Sequence, residues 1–187
     1  LVVADDPGPH SSQTEQDSRY FAMFAKVPCF DPCSAAEAKE MVFDAFDLSE
    51  RFGIITMLRP SVRVDHCRQD VELGELRPPK GQVKFEKEPS RWVCLPASVK
   101  VNHPRLNAKV EEIRAAFETE FGKYNYEVPS REKSVLGIVA SGVCFSVVSD
   151  ILKEWGREDV AVLKIGTPHP LPVKMVTDFI SRHPKVL

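Results

Sequence analysis

The chain has 187 residues, of which 25 are basic and 27 acidic, so its formal charge is −2 at pH 7. This near-neutral balance, without a basic stripe, argues against a nucleic-acid-binding protein, because such proteins cluster Lys and Arg against phosphates. No apolar run approaches the roughly 20 residues that span a bilayer, so we expect no membrane segment. With 43% hydrophobic residues, the chain can bury a sizeable core in one large or two small domains.

The five cysteines are scattered and odd in number, which is not the pattern of a disulfide-stapled secreted domain. Neither a zinc-ligand spacing nor an iron–sulfur spacing occurs among them. We therefore expect five reduced thiols, no metal site in this chain and a cytoplasmic protein. Leu1 is not an initiator Met, and both ends have the pattern of incomplete strands, so we expect a piece of a longer protein.

The first third of the chain predicts apolar strands that alternate with helices. Strands are expected at residues 1–4, 27–30 and 54–58. A short helix lies between the first two strands, with Phe21 and Phe24 expected to point inward. Ser34 and Glu37 form a capping box, in which the hydroxyl accepts from a free helical N–H and the carboxylate reaches back. Apolar residues then recur at helical spacing over residues 38–46, which predicts one buried helix face.

The middle of the chain, from about residue 65 to 133, is rich in charges and prolines and is predicted to connect two domains. Its one strand-like apolar run lies at residues 92–95. A helix is expected over residues 104–121, with Pro104 in its first turn. We expect the connector to be ordered, because large apolar side chains such as Trp92 need burial.

The last third of the chain is the most regular. Apolar strands are expected at residues 135–140 and 160–165, with an amphipathic helix between them and a second helix from about residue 173. This order of elements predicts a parallel sheet with right-handed crossovers, and therefore an α/β fold.

Polar side chains follow the opening strand over residues 5–19. In open α/β sheets, ligands bind outside the carboxyl ends of the strands, so this is where a site is expected. The other interpretation is a solvated loop whose Ser and Asp side chains cap the following helix.

A second polar cluster follows the strand at residues 54–58 and contains Arg59, Arg63 and His66. Two guanidinium groups and an imidazole can grip a carboxylate, because Arg offers a planar fork of donors and His a titratable one. The alternative is a pair of surface arginines that bond to backbone carbonyls or to acidic neighbours.

Five segments resemble the alpha subunits of indolepyruvate:ferredoxin oxidoreductases, thiamine-diphosphate enzymes that decarboxylate aryl 2-oxoacids. They are DDPGPHSSQTEQDSR at residues 5–19, PxxxxEA at 32–38, RPSVRVDH at 59–66, VLGIVASG at 135–142 and LKIGTPHPLP at 163–172. The match spans essentially the whole chain in the order of the family, and the first string is long enough to be specific.

The resemblance implies a division into three parts. Residues 1–75 correspond to the C-terminal half of a pyrimidine-binding domain with a parallel sheet, and residues 76–133 to a connector with one helix. Residues 134–187 correspond to a truncated Rossmann-like domain of the transketolase C-terminal type.

The resemblance also implies cofactors and partners. Thiamine diphosphate with Mg²⁺ would occupy a site completed outside this chain, and [4Fe-4S] clusters would lie elsewhere in the full protein. The expected partners are the beta or gamma subunit of the oxidoreductase, ferredoxin, a 2-oxoacid and coenzyme A. By itself the chain is expected to be inactive.

Roles carried over from the family fall on the two polar clusters. His10, Ser11, Ser12 and Gln13 would act in catalysis as donors to the 2-oxo group or its alkoxide. Arg59, Arg63 and His66 would bind the substrate carboxylate, and Asp17 and Arg19 the cofactor.

Two further interpretations stay open. One is another thiamine-dependent 2-oxoacid oxidoreductase, of the pyruvate or phenylglyoxylate type. The other is a non-catalytic module that shares the fold and serves subunit assembly. Ser61 and Cys67 depart from the residues common in the family, which affects the substrate side of the site.

Overall fold

A computed structural model describes residues 1–4, 17–76, 78 and 84–187. Two three-stranded sheets organise this part of the chain, and helices cover them. The strands are β1 (Val2–Val3), β2 (Cys29–Phe30), β3 (Met57–Leu58), β4 (Asn125–Val128), β5 (Leu136–Ser141) and β6 (Val160–Ile165). The α-helices are α1 (Phe21–Ala25), α2 (Ala35–Phe52), α3 (Val62–Asp65), α4 (Pro89–Trp92), α5 (Pro96–Glu118), α6 (Gly142–Glu154) and α7 (Val173–Arg182), with a 3₁₀ turn at Gly122–Tyr124.

The first sheet is parallel, in the order β1-β3-β2. Strand β3 is the central strand, and its Met57 pairs with Val2 of β1 on one side and with Cys29 of β2 on the other. The strand residues of β2 and β3 are buried, as expected for a sheet covered on both faces. Because all three strands run in one direction, their carboxyl ends share one edge of the sheet.

Helix α2 confirms the predicted helix after Ser34. The Ser34 Oγ accepts a hydrogen bond from the Glu37 N–H at 3.2 Å, which is half of the predicted capping box. The Glu37 carboxylate reaches back one residue further than predicted and accepts from the Cys33 N–H at 2.7 Å. Met41, Ala45 and Leu48 form the buried face of the helix.

The second sheet has the order β4-β6-β5. Strands β5 and β6 are parallel and joined through α6, as the β-α-β pattern predicts. Strand β4 is antiparallel to β6 and lies within the range predicted as connector. The α/β class with parallel sheets is confirmed, whereas the three-part domain division stays a prediction.

Three local predictions are wrong: that Phe21 and Phe24 point inward, that residues 92–95 form a strand, and that Trp92 is buried. Phe21 and Phe24 do not point inward, because Ala22 is the buried residue of α1. Residues 92–95 do not form a strand: Pro89 opens the short helix α4 instead, and the Trp92 side chain is 57% exposed. A run of four apolar residues is too short for periodicity to separate strand from helix.

Helix α5 begins eight residues earlier than predicted, at Pro96, and Pro104 lies inside it. Pro96 takes the first-turn position for which Pro104 also qualified, since neither needs its missing N–H there. The C-terminal half of α5 packs on the first sheet, where Phe117 meets Phe30 edge to face with ring centroids 5.5 Å apart. The C-terminal half of the helix is thus part of the core.

The two sheets are tied by backbone bonds from β2 to the loop after β6. The Cys29 N–H donates to the His169 carbonyl at 2.7 Å, and the Asp31 N–H donates to the Gly166 carbonyl at 2.8 Å. The Asn125 side chain also holds that loop, because its oxygen accepts hydrogen bonds from the N–H groups of Gly166 and Thr167 at 2.9 and 3.1 Å. These hydrogen bonds fix the position of the end of β2 relative to the loop that follows β6 of the second sheet.

A buried ion pair also joins the sheets. The Lys164 side chain on β6 is 0% exposed and contacts the Glu37 carboxylate on α2, whose side chain is 14% exposed. Its ammonium also donates to the Tyr124 carbonyl at 3.1 Å. A buried charge is costly unless it is paired and hydrogen-bonded, and here both conditions are met.

Among the described residues, no helix combines the length and the apolar content that crossing a membrane requires.

Replacing the buried cation tests the contact between the sheets. Lys164→Met leaves Glu37 without its charged partner and should lower the free energy of unfolding by about 3–5 kcal/mol. Urea unfolding of the protein that carries this chain measures the loss. Arg131→Met is the control, since it breaks an exposed ion pair with Glu158 and should cost less than about 1 kcal/mol. Equal losses for the two variants would contradict a structural role for the buried pair.

Candidate functional site

The candidate site lies at the carboxyl edge of the first sheet. Each strand of that sheet is followed by a polar residue: Asp5 comes after β1 and Ala4, Asp31 after β2, and Arg59 after β3. The Arg59 N–H donates to the Phe30 carbonyl at 2.8 Å, so the β2–β3 ladder continues to the residues that carry the side chains. This fixes Asp31 and Arg59 on neighbouring strands.

An ion pair joins Asp31 and Arg59. The Arg59 guanidinium donates to Asp31 Oδ2 at 2.7 Å, and the two side chains are 16% and 10% exposed. Burial works to lower the pKa of Arg59, but the Asp31 carboxylate outweighs it and the pKa is raised overall. Arg59 therefore keeps a full positive charge, although its side chain is largely buried.

The second sheet contributes to the same cluster. Ser141, the last residue of β5, donates its hydroxyl to Asp31 Oδ2 at 2.5 Å. Gly142 follows at the start of α6 with φ +51°, and a Cβ added there would lie 2.4 Å from Asp31 Oδ1. The Asp31 carboxylate thus sits against the first turn of α6, where only glycine leaves it room.

A cavity of about 490 Å³ opens between the two sheets at this point. Its polar side chains are those of Arg19, Asp31, Arg59, Ser61 and Ser141. Its apolar wall comes from the second sheet and α6: Ile138, Val139, Ala140, Val143, Val148 and Leu187. The Ser61 hydroxyl oxygen is buried and has no hydrogen-bond partner in the described part of the chain.

Arg19 reaches this cavity from the other polar segment. Its guanidinium donates to both oxygens of Asp17, at 3.0 and 2.8 Å, and its backbone N–H donates as well. These hydrogen bonds from Arg19 hold the pKa of Asp17 at about 2. The two polar segments therefore converge, with Arg19 and Arg59 on one cavity.

Arg63 and His66 are not brought into that cavity. Both lie on or just after the single-turn helix α3, and both are exposed. Because α3 turns the chain directly after Ser61, side chains four and seven residues beyond Arg59 face away from the cavity lining. Their assignment to substrate binding stays a prediction, and the described geometry favours Arg59.

The proposed catalytic residues His10, Ser11, Ser12 and Gln13 lie outside the described residues. The segment that carries them joins β1 to Asp17 and Arg19. Their assignment also stays a prediction.

Asp31 and Ser141 were missed as site residues, although a signal for both was present. Each is a polar residue at the carboxyl end of a predicted apolar strand, which is the rule that selected Arg59. Asp31 follows the strand at residues 27–30, and Ser141 follows the strand at residues 135–140.

A second, more apolar cavity of about 710 Å³ lies beside β1. It is lined by Val2, Val3, Ala4, Phe21, Ala25, Val27, Ile55 and Met57, with Asp17 and Ser18 as its polar residues. Within the described ranges, no three His, Cys, Asp or Glu side chains gather as metal ligands would.

Comparison with known proteins identifies the family. No protein-family model matches the chain. It is 42% identical over 192 residues to the indolepyruvate oxidoreductase subunit IorA of Thermococcus kodakarensis. The same subunit is 39% identical in Pyrococcus horikoshii and 37% identical in Methanothermobacter thermautotrophicus. All three matches cover 100% of this chain. The chain belongs to the IorA family.

The chain spans about 29% of the length of the IorA relatives it matches. The family resemblance predicted from short segments is therefore confirmed over the whole chain. The chain corresponds to one portion of an IorA subunit.

A solved structure shows the same fold at low sequence identity. The 2-oxoglutarate:ferredoxin oxidoreductase from Magnetococcus marinus, with 2-oxoglutarate, coenzyme A and succinyl-CoA bound, matches with a TM-score of 0.66 and 15% identity. The match covers 100% of this chain and 40% of that one. The IorA-family chain thus has the fold of part of a 2-oxoacid oxidoreductase.

Two glycines test the contact between Asp31 and α6. Gly142 and Gly156 both have positive φ, at 51° and 61°, but nothing lies within 4 Å of a Cβ added at Gly156. Gly156→Ala should therefore cost only the backbone strain, about 1–2 kcal/mol. Gly142→Ala must also displace Asp31 from its charged hydrogen bonds and should cost at least about 1.5 kcal/mol more. Urea unfolding compares the two, and equal losses would argue against the contact.

Proposed function

We propose that this chain is part of an oxidoreductase that oxidatively decarboxylates aryl 2-oxoacids such as indolepyruvate. In the proposed reaction, the 2-oxoacid and coenzyme A yield an acyl-coenzyme A, CO₂ and a proton. The two electrons released pass through iron–sulfur clusters to two molecules of ferredoxin. The names of the relatives and the fold neighbour support a 2-oxoacid oxidoreductase subunit.

The observation that carries the proposal is the buried cation in the cleft. Arg59 is positively charged and lines a cavity at the carboxyl edge of a parallel sheet. Among the described residues, one of its five side-chain donors bonds to Asp31. Guanidinium groups bind carboxylates through paired hydrogen bonds, and every 2-oxoacid carries a carboxylate beside the reacting carbon. Arg59 is thus suited to hold the substrate by its carboxylate.

The apolar wall of the cavity suits the other end of an aryl 2-oxoacid. Ile138, Val139 and Val148 line the same cavity as Arg59. A cavity of about 490 Å³ is within the usual range for small-molecule sites, which are mostly apolar with a few convergent polar groups. An aromatic side chain on this wall would leave water, while the carboxylate stays on the guanidinium.

The described residues fit one part of thiamine diphosphate. When bound, this cofactor supplies a carbon nucleophile for the 2-oxo group and accepts the electron pair left when CO₂ departs. The apolar cavity beside β1 offers a wall for a flat ring, and the ionised Asp17 offers an acceptor for a ring amino group. Arg19 holds Asp17 in place. We assign no described residue to the diphosphate or to Mg²⁺.

We also propose substrates, protein partners and a cellular location for the full protein. The substrates are the 2-oxoacid and coenzyme A, and the protein partners are the beta or gamma subunit of the oxidoreductase and ferredoxin. Its [4Fe-4S] clusters would be bound elsewhere in the full protein, which we place in the cytoplasm. His10, Ser11, Ser12 and Gln13 would donate to the 2-oxo oxygen as negative charge develops on it. Arg63 and His66 would assist Arg59 in binding the substrate carboxylate.

An activity assay of the full complex tests the substrate and the role of Arg59 together. Anaerobic reduction of ferredoxin should be faster with indolepyruvate and phenylpyruvate than with pyruvate, because the cavity wall is apolar. Arg59→Gln removes a charged hydrogen bond worth about 1.5–3 kcal/mol and should raise KM for indolepyruvate about 10- to 100-fold.

The matched control is Arg157→Gln, since Arg157 also bonds to an aspartate, Asp159 at 2.7 Å, but lines no part of the cavity. KM should stay unchanged in that variant. No activity with any 2-oxoacid would overturn the proposed function, and an unchanged KM in Arg59→Gln would remove Arg59 from the site.

His10→Ala tests the catalytic segment. A donor that stabilises charge in the transition state contributes about 100-fold or more to kcat, so the rate should fall far more than cofactor affinity. Single-turnover kinetics and thiamine diphosphate titration of the same complex separate the two. A loss of cofactor binding with an unchanged rate at saturation would contradict the proposed role.

A further inference from the structure

The Asp31 side chain contacts both the proposed substrate-binding arginine, on its own sheet, and the second sheet. It follows β2 of the first sheet, pairs with Arg59 after β3, and accepts from Ser141 at the end of β5. It was not selected from the sequence. The inference below rests on the proposed function, because it concerns how Arg59 meets the substrate carboxylate.

Both oxygens of Asp31 are constrained. Oδ2 accepts from the Arg59 guanidinium at 2.7 Å and from the Ser141 hydroxyl at 2.5 Å. Oδ1 lies where a Cβ at Gly142 would come within 2.4 Å, so it fills the space that the glycine leaves. Rotating the carboxylate would break one of these contacts. The orientation of the Asp31 carboxylate is therefore fixed by three neighbours: Arg59, Ser141 and Gly142.

The backbone of Asp31 is also held by hydrogen bonds. Its N–H donates to the Gly166 carbonyl at 2.8 Å, and the Gly166 N–H in turn donates to the Asn125 side chain at 2.9 Å. Asn125 is 2% exposed. The position of Asp31 therefore depends on the second sheet through its backbone as well as through Ser141.

Arg59 takes its direction from this support. Arginine has several flexible side-chain bonds, and free rotation would spread its fork over many directions in a cavity of about 490 Å³. The bond to Asp31 fixes one nitrogen, and within the described ranges the other side-chain donors are not bonded to Asp31 and can meet a ligand. A guanidinium that is already oriented loses less freedom when it binds a carboxylate.

We propose that Asp31 is a positioning residue: it aims Arg59 at the substrate carboxylate, and Ser141 and Gly142 make that aim depend on the packing of the second sheet. Asp31 itself need not touch the substrate. Disturbing it should weaken substrate binding through Arg59 and leave the chemical step largely intact.

A double-mutant cycle in the full complex tests this inference, with KM and kcat for indolepyruvate as readouts. Asp31→Asn keeps the shape of the side chain but removes its charge, and should raise KM about tenfold with a smaller change in kcat. In an Arg59→Gln background, Asp31→Asn should raise KM no further, because the residue acts through Arg59. Ser141→Ala should raise KM in the same direction by a smaller factor.

Asp44→Asn is the matched control. Asp44 is another partly buried aspartate, 16% exposed, that accepts from Tyr124 at 2.6 Å and pairs with Lys123 at 2.8 Å, but it lines no part of the cavity. The same chemical change there should leave KM unchanged. Ser141→Ala keeps the test decisive in case Asp31→Asn folds poorly, since it removes one hydroxyl from the edge of the cluster.

The outcomes separate the inference from the function it rests on. If Arg59→Gln raises KM while Asp31→Asn and Ser141→Ala do not, the positioning role is wrong and the proposed function stands. Equal KM increases from Asp31→Asn in both backgrounds would also overturn the inference, because Asp31 would then act independently of Arg59. If Arg59→Gln leaves KM unchanged, the proposed substrate site itself fails.

Discussion

The Asp31–Arg59 ion pair is the contact on which the architecture of the cleft depends. It joins the carboxyl ends of two neighbouring parallel strands, and Ser141 adds the end of a strand from the other sheet. Removing either charged partner would leave the other buried and unpaired, which costs more than the pair itself contributes. The pair therefore fixes two strand ends of the first sheet, and the Ser141 hydrogen bond connects them to the second sheet beside the cavity.

A second set of buried polar contacts also connects the two halves of the structure. Lys164 of β6 is fully buried against Glu37 of α2, and Asn125 uses its amide to fix the loop after β6. These polar contacts require defined geometry, whereas apolar contacts tolerate small shifts. One portion of an IorA-family subunit thus presents a cleft whose walls come from two different sheets.

Local signals predicted the elements better than the contacts between them. The capping residue Ser34 and the apolar spacing behind it predicted α2, and the apolar runs predicted the buried parallel strands. Glu37 was predicted to reach only its own helix end, yet it also contacts Lys164, 127 residues away in the chain. Such pairs depend on how the sheets pack, which periodicity does not encode. For the same reason, spacing grouped Arg63 with Arg59, although the turn of α3 separates them.

A structure of the complete subunit with a bound aryl 2-oxoacid or a non-reactive analogue tests the central claim most directly. Our account predicts that the ligand carboxylate lies within about 3.2 Å of an Arg59 nitrogen, with Asp31 still bonded to Arg59 and the aromatic ring against Ile138 and Val148. A carboxylate bound elsewhere, with Arg59 still occupied only by Asp31, would contradict it.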